Sequence, residues 1–175
     1  METMILRIPS KDIMNKVQRS LLVLYSYDDQ PEESSIENSL RQSISLIAKM
    51  PAIIAYGYQA KNHYFNNQSL YIHSPKPEYG IAQNILHMIR PTNEFTEKEA
   101  EVLDLCLVLH ADHGGGNNST FTLNVISSTG TDIYSALAAA AGSLKGPKHG
   151  GATIMVLQMM EDIQAHVDDW SDDEE

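Results

Sequence analysis

The sequence predicts an all-α fold on three observations. Apolar residues recur at helical spacing through most of the chain. No series of short alternating runs sits between Asn-Gly or Asp-Gly turns. The helical stretches open on Ser, Thr or Asp and stop at Pro or Gly. The 175 residues, 42% apolar and 20% charged, supply core material for one domain or part of one and exclude wholesale disorder.

The first helix is expected after Ser10 as N-cap, where Ile13, Met14, Val17, Leu21, Leu24 and Tyr25 form an apolar stripe ending near 28–31. Ser34 and Glu37 have capping-box spacing, and Ile36, Leu40, Ile44 and Ile47 then repeat at three- or four-residue steps until Pro51. Pro51 suits a first-turn position, so a shorter helix is expected from there to about Asn62, followed by a polar loop over 63–77. Helix returns over 78–90 and stops at Pro91.

Thr96 and Glu99 make a second capping box, opening a helix that turns Val102, Leu103, Cys106, Leu107 and Leu109 inward and delivers His110 to its end. Gly114, Gly115 and Gly116 break the pattern before a polar-started helix. Thr131 and Asp132 open the next, whose Ala136, Ala138, Ala139, Ala140, Ala141 and Gly142 let other backbones approach closely. Such a helix is expected to be buried, in a core or a subunit interface. A last helix begins near Ala152, and its face of Val156, Met160, Ile163 and Val167 needs a partner.

Twelve basic residues face 23 acidic ones, a net charge of −11, which excludes the clustered Lys and Arg of a nucleic-acid binder. Eight acids and no Lys or Arg lie between Glu161 and Glu175, read as a solvated helix end running into a linker. The lone Cys106 cannot close an intrachain disulfide, and no basic, apolar, small-residue order marks a secretion signal, so a reduced, cytoplasmic protein is expected. Apolar runs such as 136–141 fall far short of the ~20 residues of a membrane span.

Of seven histidines, His110, His113 and His149 lie beside glycine-rich loops, whereas His63, His73, His87 and His166 fit structural roles. His110 and His113 with Asp112 have the spacing of one helical face, but without further cysteine ligands or an HExxH no metal site is assigned. The stretch 114–120 offers free amides for an anion, yet it is neither GxxxxGK[ST] nor GxGxxG, so nucleotide binding has weak support. A third reading is a carboxylic-acid site in which His113 donates to an anionic substrate and His149, at a helix mouth, acts on a carbonyl. A helix N-terminus disfavours the imidazolium form, and a neutral imidazole polarises a carbonyl by hydrogen bonding. The flanking glycines would let substrate approach the backbone closely.

Several segments together resemble citrate synthase in order and spacing. They are His110-Ala111-Asp112-His113, the stretch 117–120, Ser127-Ser128-Thr129-Gly130-Thr131-Asp132-Ile133-Tyr134, the Ala-rich helix, and Lys145-Gly146-Pro147-Lys148-His149-Gly150-Gly151-Ala152. Ile47-Ala48-Lys49-Met50-Pro51 and Asn84-Ile85-Leu86-His87-Met88 also look like that family's segments, so the resemblance covers about 10–170. It implies an all-α, dimeric acyltransferase that condenses acetyl-CoA with oxaloacetate to give citrate and CoA, with acetyl-CoA a co-substrate and no permanently bound cofactor or metal. It implies that His113 hydrogen-bonds oxaloacetate or citrate, that His149 stabilises the acetyl-CoA enol through its carbonyl oxygen, and that Ser119 orients His149. It further implies a subunit interface of the helices at 10–25, 35–49, 117–128 and 132–144. Residues 1–152 would be part of the large domain and 153–175 the start of the small-domain region.

The sequence also departs from the family. The third catalytic histidine, in a GxGHxV segment, and the catalytic aspartate beyond it have no counterpart in the 26 residues after His149. The arginines that hold the substrate carboxylates are missing too, so the chain resembles a central fragment. Gly114 stands where many members have Glu, and Thr153 where Asn is common. A 2-methylcitrate synthase shares these motifs, and a non-catalytic helical dimerisation module is the reading from another class.

Overall fold

The computed structural model describes residues 2–111 and 116–167. These residues form eight α-helices and no strand: α1 (Glu2–Arg7), α2 (Ile13–Leu24), α3 (Ile36–Asn66), α4 (Ile81–Ile89), α5 (Glu97–Leu109), α6 (Asn118–Ser127), α7 (Ile133–Leu144) and α8 (Ala152–His166). His113, Asp112, Gly114, Gly115 and the acids from Asp168 onward lie outside the described residues.

The capping chemistry explains most of the starts. Asp12, not Ser10, caps α2 by accepting the Asn15 N–H, while Ser10 accepts the N–H of Asp12 itself. Ser35, one residue after the expected cap, accepts from Asn38 and opens α3. The Thr96–Glu99 box closes as read, with Thr96 Oγ1 accepting the Glu99 N–H at 3.2 Å and Glu99 Oε2 accepting the Thr96 N–H at 2.7 Å. Asn117 caps α6 and Asp132 caps α7 in the same way. α4 is shorter than expected, beginning at Ile81 with the Gln83 side chain holding the Gly80 N–H.

Two expectations fail on α3. It runs unbroken for 31 residues through Pro51, so no separate helix begins there, and it ends at Asn67, whose left-handed conformation (φ 53°) stops it four residues into the expected loop. Proline inside a helix costs about 3 kcal/mol. Here Pro51 is buried and is followed at once by Ala52, Ile53, Ala55, Tyr56 and Ala60, all in the core, and that burial outweighs the penalty.

The first half of α3 is also inverted. Asn38, Gln42 and Leu46 face inward, whereas Ile36, Leu40, Ile44 and Ile47 stand out at 88, 60, 60 and 59% exposure. The inward amides are occupied. Asn38 Nδ2 donates to the carbonyls of Gln30 and Glu33, and Gln42 Nε2 donates to Asp28 and Gln30, so the 28–33 turn is satisfied by side chains rather than water.

The core gathers Val17, Leu21 and Leu24 of α2, Ile53, Ala55 and Tyr56 of α3, Met88 of α4, and Tyr134, Ala138 and Ala141 of α7. α7 packs against both α2 and α6, as its small residues require. α1 has no signature in the sequence, since six residues with one buried Ile5 give no periodic signal. α5 corrects a further expectation: it packs against α4 and buries only Ala100, leaving Val102, Cys106, Leu107 and Leu109 exposed. The face of α8 that needed a partner has none among the described residues, and no residue of α8 is buried.

α1 is fastened by a buried ammonium. Lys16, 1% exposed, donates from Nζ to the carbonyls of Met4 (3.0 Å) and Ile8 (2.8 Å), with no ion-pair partner among the described residues. Burial, helped by Arg19, pushes its pKa from 10.5 down to about 8. Between those values the unfolded chain holds a proton that the folded chain has lost, so this group makes stability rise with pH through that window and imposes its full cost below it. Urea denaturation of Lys16→Met across the window is expected to show a flatter pH dependence than wild type; equal slopes would show that Lys16 is not the titrating group.

Candidate active site

The site is assembled where the start of α6 meets the end of α7. The Ser119 hydroxyl and His149 Nε2 share a hydrogen bond of 2.8 Å across thirty residues of sequence. One residue earlier, Asn118 Nδ2 donates to Ser143 Oγ at 2.9 Å. An open pocket of ≈ 660 Å³ lies here, lined by Asn117, Asn118, Ser143, Gly146, Lys148 and His149 among others. Lys148 forms no ion pair among the described residues and brings positive charge to this pocket.

His149 sits in a tight turn between α7 and α8. Its N–H and that of Gly151 both donate to the Gly146 carbonyl, at 2.9 and 3.2 Å, and its own carbonyl accepts the Ala152 N–H. The glycines of this turn have a duty that sequence reasoning assigned to substrate access. A Cβ at Gly150 would stand 2.7 Å from the Leu144 carbonyl oxygen, and one at Gly151 would stand 2.7 Å from that of Lys145 and 2.8 Å from that of Gly146. The missing side chains therefore let the turn fold back on the last carbonyls of α7.

The remaining histidines separate from this pair. His110 ends α5 and donates from Nδ1 to the Cys106 carbonyl at 2.7 Å, a helix C-cap. His63 binds the Gln68 carbonyl past the end of α3, and His166 binds the Asp162 carbonyl at the end of α8. His87 is buried against Tyr79 and His73. The expected partner of His149, His113, falls outside the described residues. Among the described residues no group of three His, Cys, Asp or Glu is placed to hold a metal ion, and no helix is long and apolar enough to cross a membrane.

A second hollow of ≈ 310 Å³ lies between the 31–34 turn, α6 and the start of α7. Its acids are engaged already: Glu32 with Tyr25, Glu33 with Ser35, Asp132 with Ser135. An anionic substrate would meet only like charge there.

Known proteins share both the sequence and the fold. A family model described as citrate synthase, C-terminal domain, matches residues 1–174. The fold is similar to the crystal structure of citrate synthase from Pyrobaculum aerophilum, with a TM-score of 0.73 and 30% identity over 93% of this chain and 40% of that one. Citrate synthase 2 of Bacillus subtilis is 35% identical and citrate synthase of Deinococcus radiodurans 38% identical, each over 150 residues that make up 86% of this chain and 38% of the relative. A 2-methylcitrate synthase of Shewanella oneidensis is 31% identical over 136 residues, 78% of this chain and 34% of that protein. The chain belongs to the citrate synthase family, and it spans about two fifths of the length of the relatives it matches.

Because Gly150 and Gly151 have no room for a methyl group, Gly150→Ala and Gly151→Ala are each expected to cost about 1–3 kcal/mol of stability. Both should separate His149 from Ser119. Denaturation together with a crystal structure of either variant checks this, and an unmoved His149 ring would refute it.

Proposed function

We propose that the chain forms part of a citrate synthase, the acyltransferase that condenses acetyl-CoA with oxaloacetate to give citrate and CoA in the tricarboxylic acid cycle. The 2.8 Å pairing of Ser119 with His149 Nε2 carries this reading. A Ser119 hydroxyl that donates to Nε2 holds the imidazole proton on Nδ1, which has no hydrogen bond among the described residues. Nδ1–H is then the donor for the thioester carbonyl oxygen, where negative charge builds as the enol forms. His113 would hydrogen-bond oxaloacetate or citrate. Lys148 supports the choice of substrates, since both are polyanions and a lone ammonium at the pocket attracts them. Acetyl-CoA comes and goes as a co-substrate, and no resident cofactor or metal takes part. Residues 1–152 belong to the large domain and 153–175 open the small-domain region. A single exposed, free cysteine suits a reducing cytoplasm.

Without the GxGHxV histidine and the aspartate base, each worth on the order of 10²- to 10⁴-fold, the 175 residues alone are expected to show negligible turnover. CoA release abolished by His149→Ala would overturn that expectation. Binding tests the site itself. Oxaloacetate, citrate and acetyl-CoA are expected to perturb the His149 ring signals in NMR, and Ser119→Ala to weaken the response. No response to any of them would favour the non-catalytic dimerisation module. A larger response to propionyl-CoA than to acetyl-CoA would favour 2-methylcitrate synthase.

The same reading makes the chain a homodimer through α2, the first half of α3, α6 and α7. Its support is the apolar surface on those helices: Ile36, Leu40, Ile44 and Ile47 on α3, and Phe121 and Val125 on α6, all at least 49% exposed. Covering such side chains is worth about 1.5–3 kcal/mol each. Sedimentation is expected to report a dimer that Leu40→Glu with Ile44→Glu converts to monomer; an unchanged mass would place the interface elsewhere.

A further inference from the structure

Three consecutive residues at the start of α6 have three different partners. Asn117 caps its own helix through the Thr120 N–H at 3.0 Å, Asn118 reaches Ser143 in the last turn of α7, and Ser119 reaches His149. Successive side chains on a helix diverge by about 100°, so Asn118 and Ser119 grip two separate points. Those points belong to one rigid piece. Ser143 is followed by the turn whose Gly150 and Gly151 are packed without spare room on the carbonyls of Leu144, Lys145 and Gly146, and that turn carries His149. The backbone thus fixes His149 relative to Ser143, and whatever fixes Ser143 to α6 fixes His149 relative to Ser119. A single part-buried hydrogen bond of this kind contributes only about 0.5–1.5 kcal/mol and leaves the ring free to rotate about it. A second anchor on the same rigid piece removes that freedom in advance.

We propose that Asn118 and Ser143 are positioning residues that hold His149 Nε2 on the Ser119 hydroxyl and so keep Nδ1 as the donor edge of the imidazole. Neither touches reacting atoms; both act through His149. The proposal rests on the proposed function only for what His149 does once positioned.

The test is a long-range ¹H–¹⁵N correlation of the histidine ring nitrogens in the 175-residue chain, without ligand. Wild type is expected to show one tautomer, with the proton on Nδ1. Asn118→Ala and Ser143→Ala should each lose that single-tautomer signature, the double variant should add nothing to either, and Ser143→Thr, which keeps the hydroxyl, should retain it. Ser119→Ala sets the size of the full effect. If Asn118→Ala fails to fold, Ser143→Ala reads the same contact from the other helix. Ring signals identical to wild type in folded Ser143→Ala would overturn the proposal, as would a wild type already divided between tautomers. Failure of oxaloacetate and acetyl-CoA to perturb these signals would instead overturn the proposed function and leave the ring-nitrogen result standing.

Discussion

Asp28 is the point on which the arrangement of the helices depends. Its side chain, 3% exposed, accepts from the Tyr134 hydroxyl at 2.6 Å, Arg41 at 2.6 Å, Gln42 at 2.9 Å and the Gln30 N–H at 3.1 Å. Burial alone would raise its pKa, but Tyr134, the Gln30 N–H, Gln42 and Arg41 together hold it well below the usual carboxylate range. Tyr134 responds in the opposite sense, raised by its burial and by donating to the Asp28 carboxylate. One ionised group thereby ties the turn after α2 to the first half of α3 and to the first turn of α7, across 106 residues from Asp28 to Tyr134. The reach of this contact extends to the site, because α7 supports α6 and the turn carrying His149.

The same contact accounts for the inverted face of α3. A buried carboxylate and the carbonyls of Gln30 and Glu33 need donors, so amide side chains occupy the inward positions that a helix normally gives to Leu or Ile. The apolar residues are displaced to the outside. There they are largely exposed in the single chain, and in the proposed dimer a second copy would cover them, so that dimer and the internal polar cluster would answer one constraint.

Legibility in the sequence followed the range of the interaction. The Thr96–Glu99 box, the Asp132 cap and the start of α8 are local and legible directly. Pro51 suits a first-turn position by its local chemistry, and the core contacts of Ile53 and Tyr56 that carry the helix through it leave no local signal. The faces of α5 misled because periodicity tells which residues share a side of a helix and not what covers that side. At the site, the Ser119–His149 pairing was legible only through family resemblance, since spacing alone does not join residues thirty apart. The Asn118–Ser143 bond left no signal at all, being two ordinary polar residues at the ends of different helices.

The glycines after His149 show what this means for chemistry. Taken as a sequence, His-Gly-Gly reads as a histidine made accessible to substrate. In the folded chain the glycines serve the turn, which presses so closely on the carbonyls ending α7 that His149 becomes an extension of that helix rather than part of a loop. In the proposed function His149 would meet a developing oxyanion, and a donor is effective there when it does not reorganise during the reaction, a demand that a side chain borne on a helix end meets better than one on a mobile segment. The position of His149 is thus set from two places earlier in the chain: three to five residues back, by the carbonyls of Leu144, Lys145 and Gly146, and thirty residues back, by the hydroxyl of Ser119.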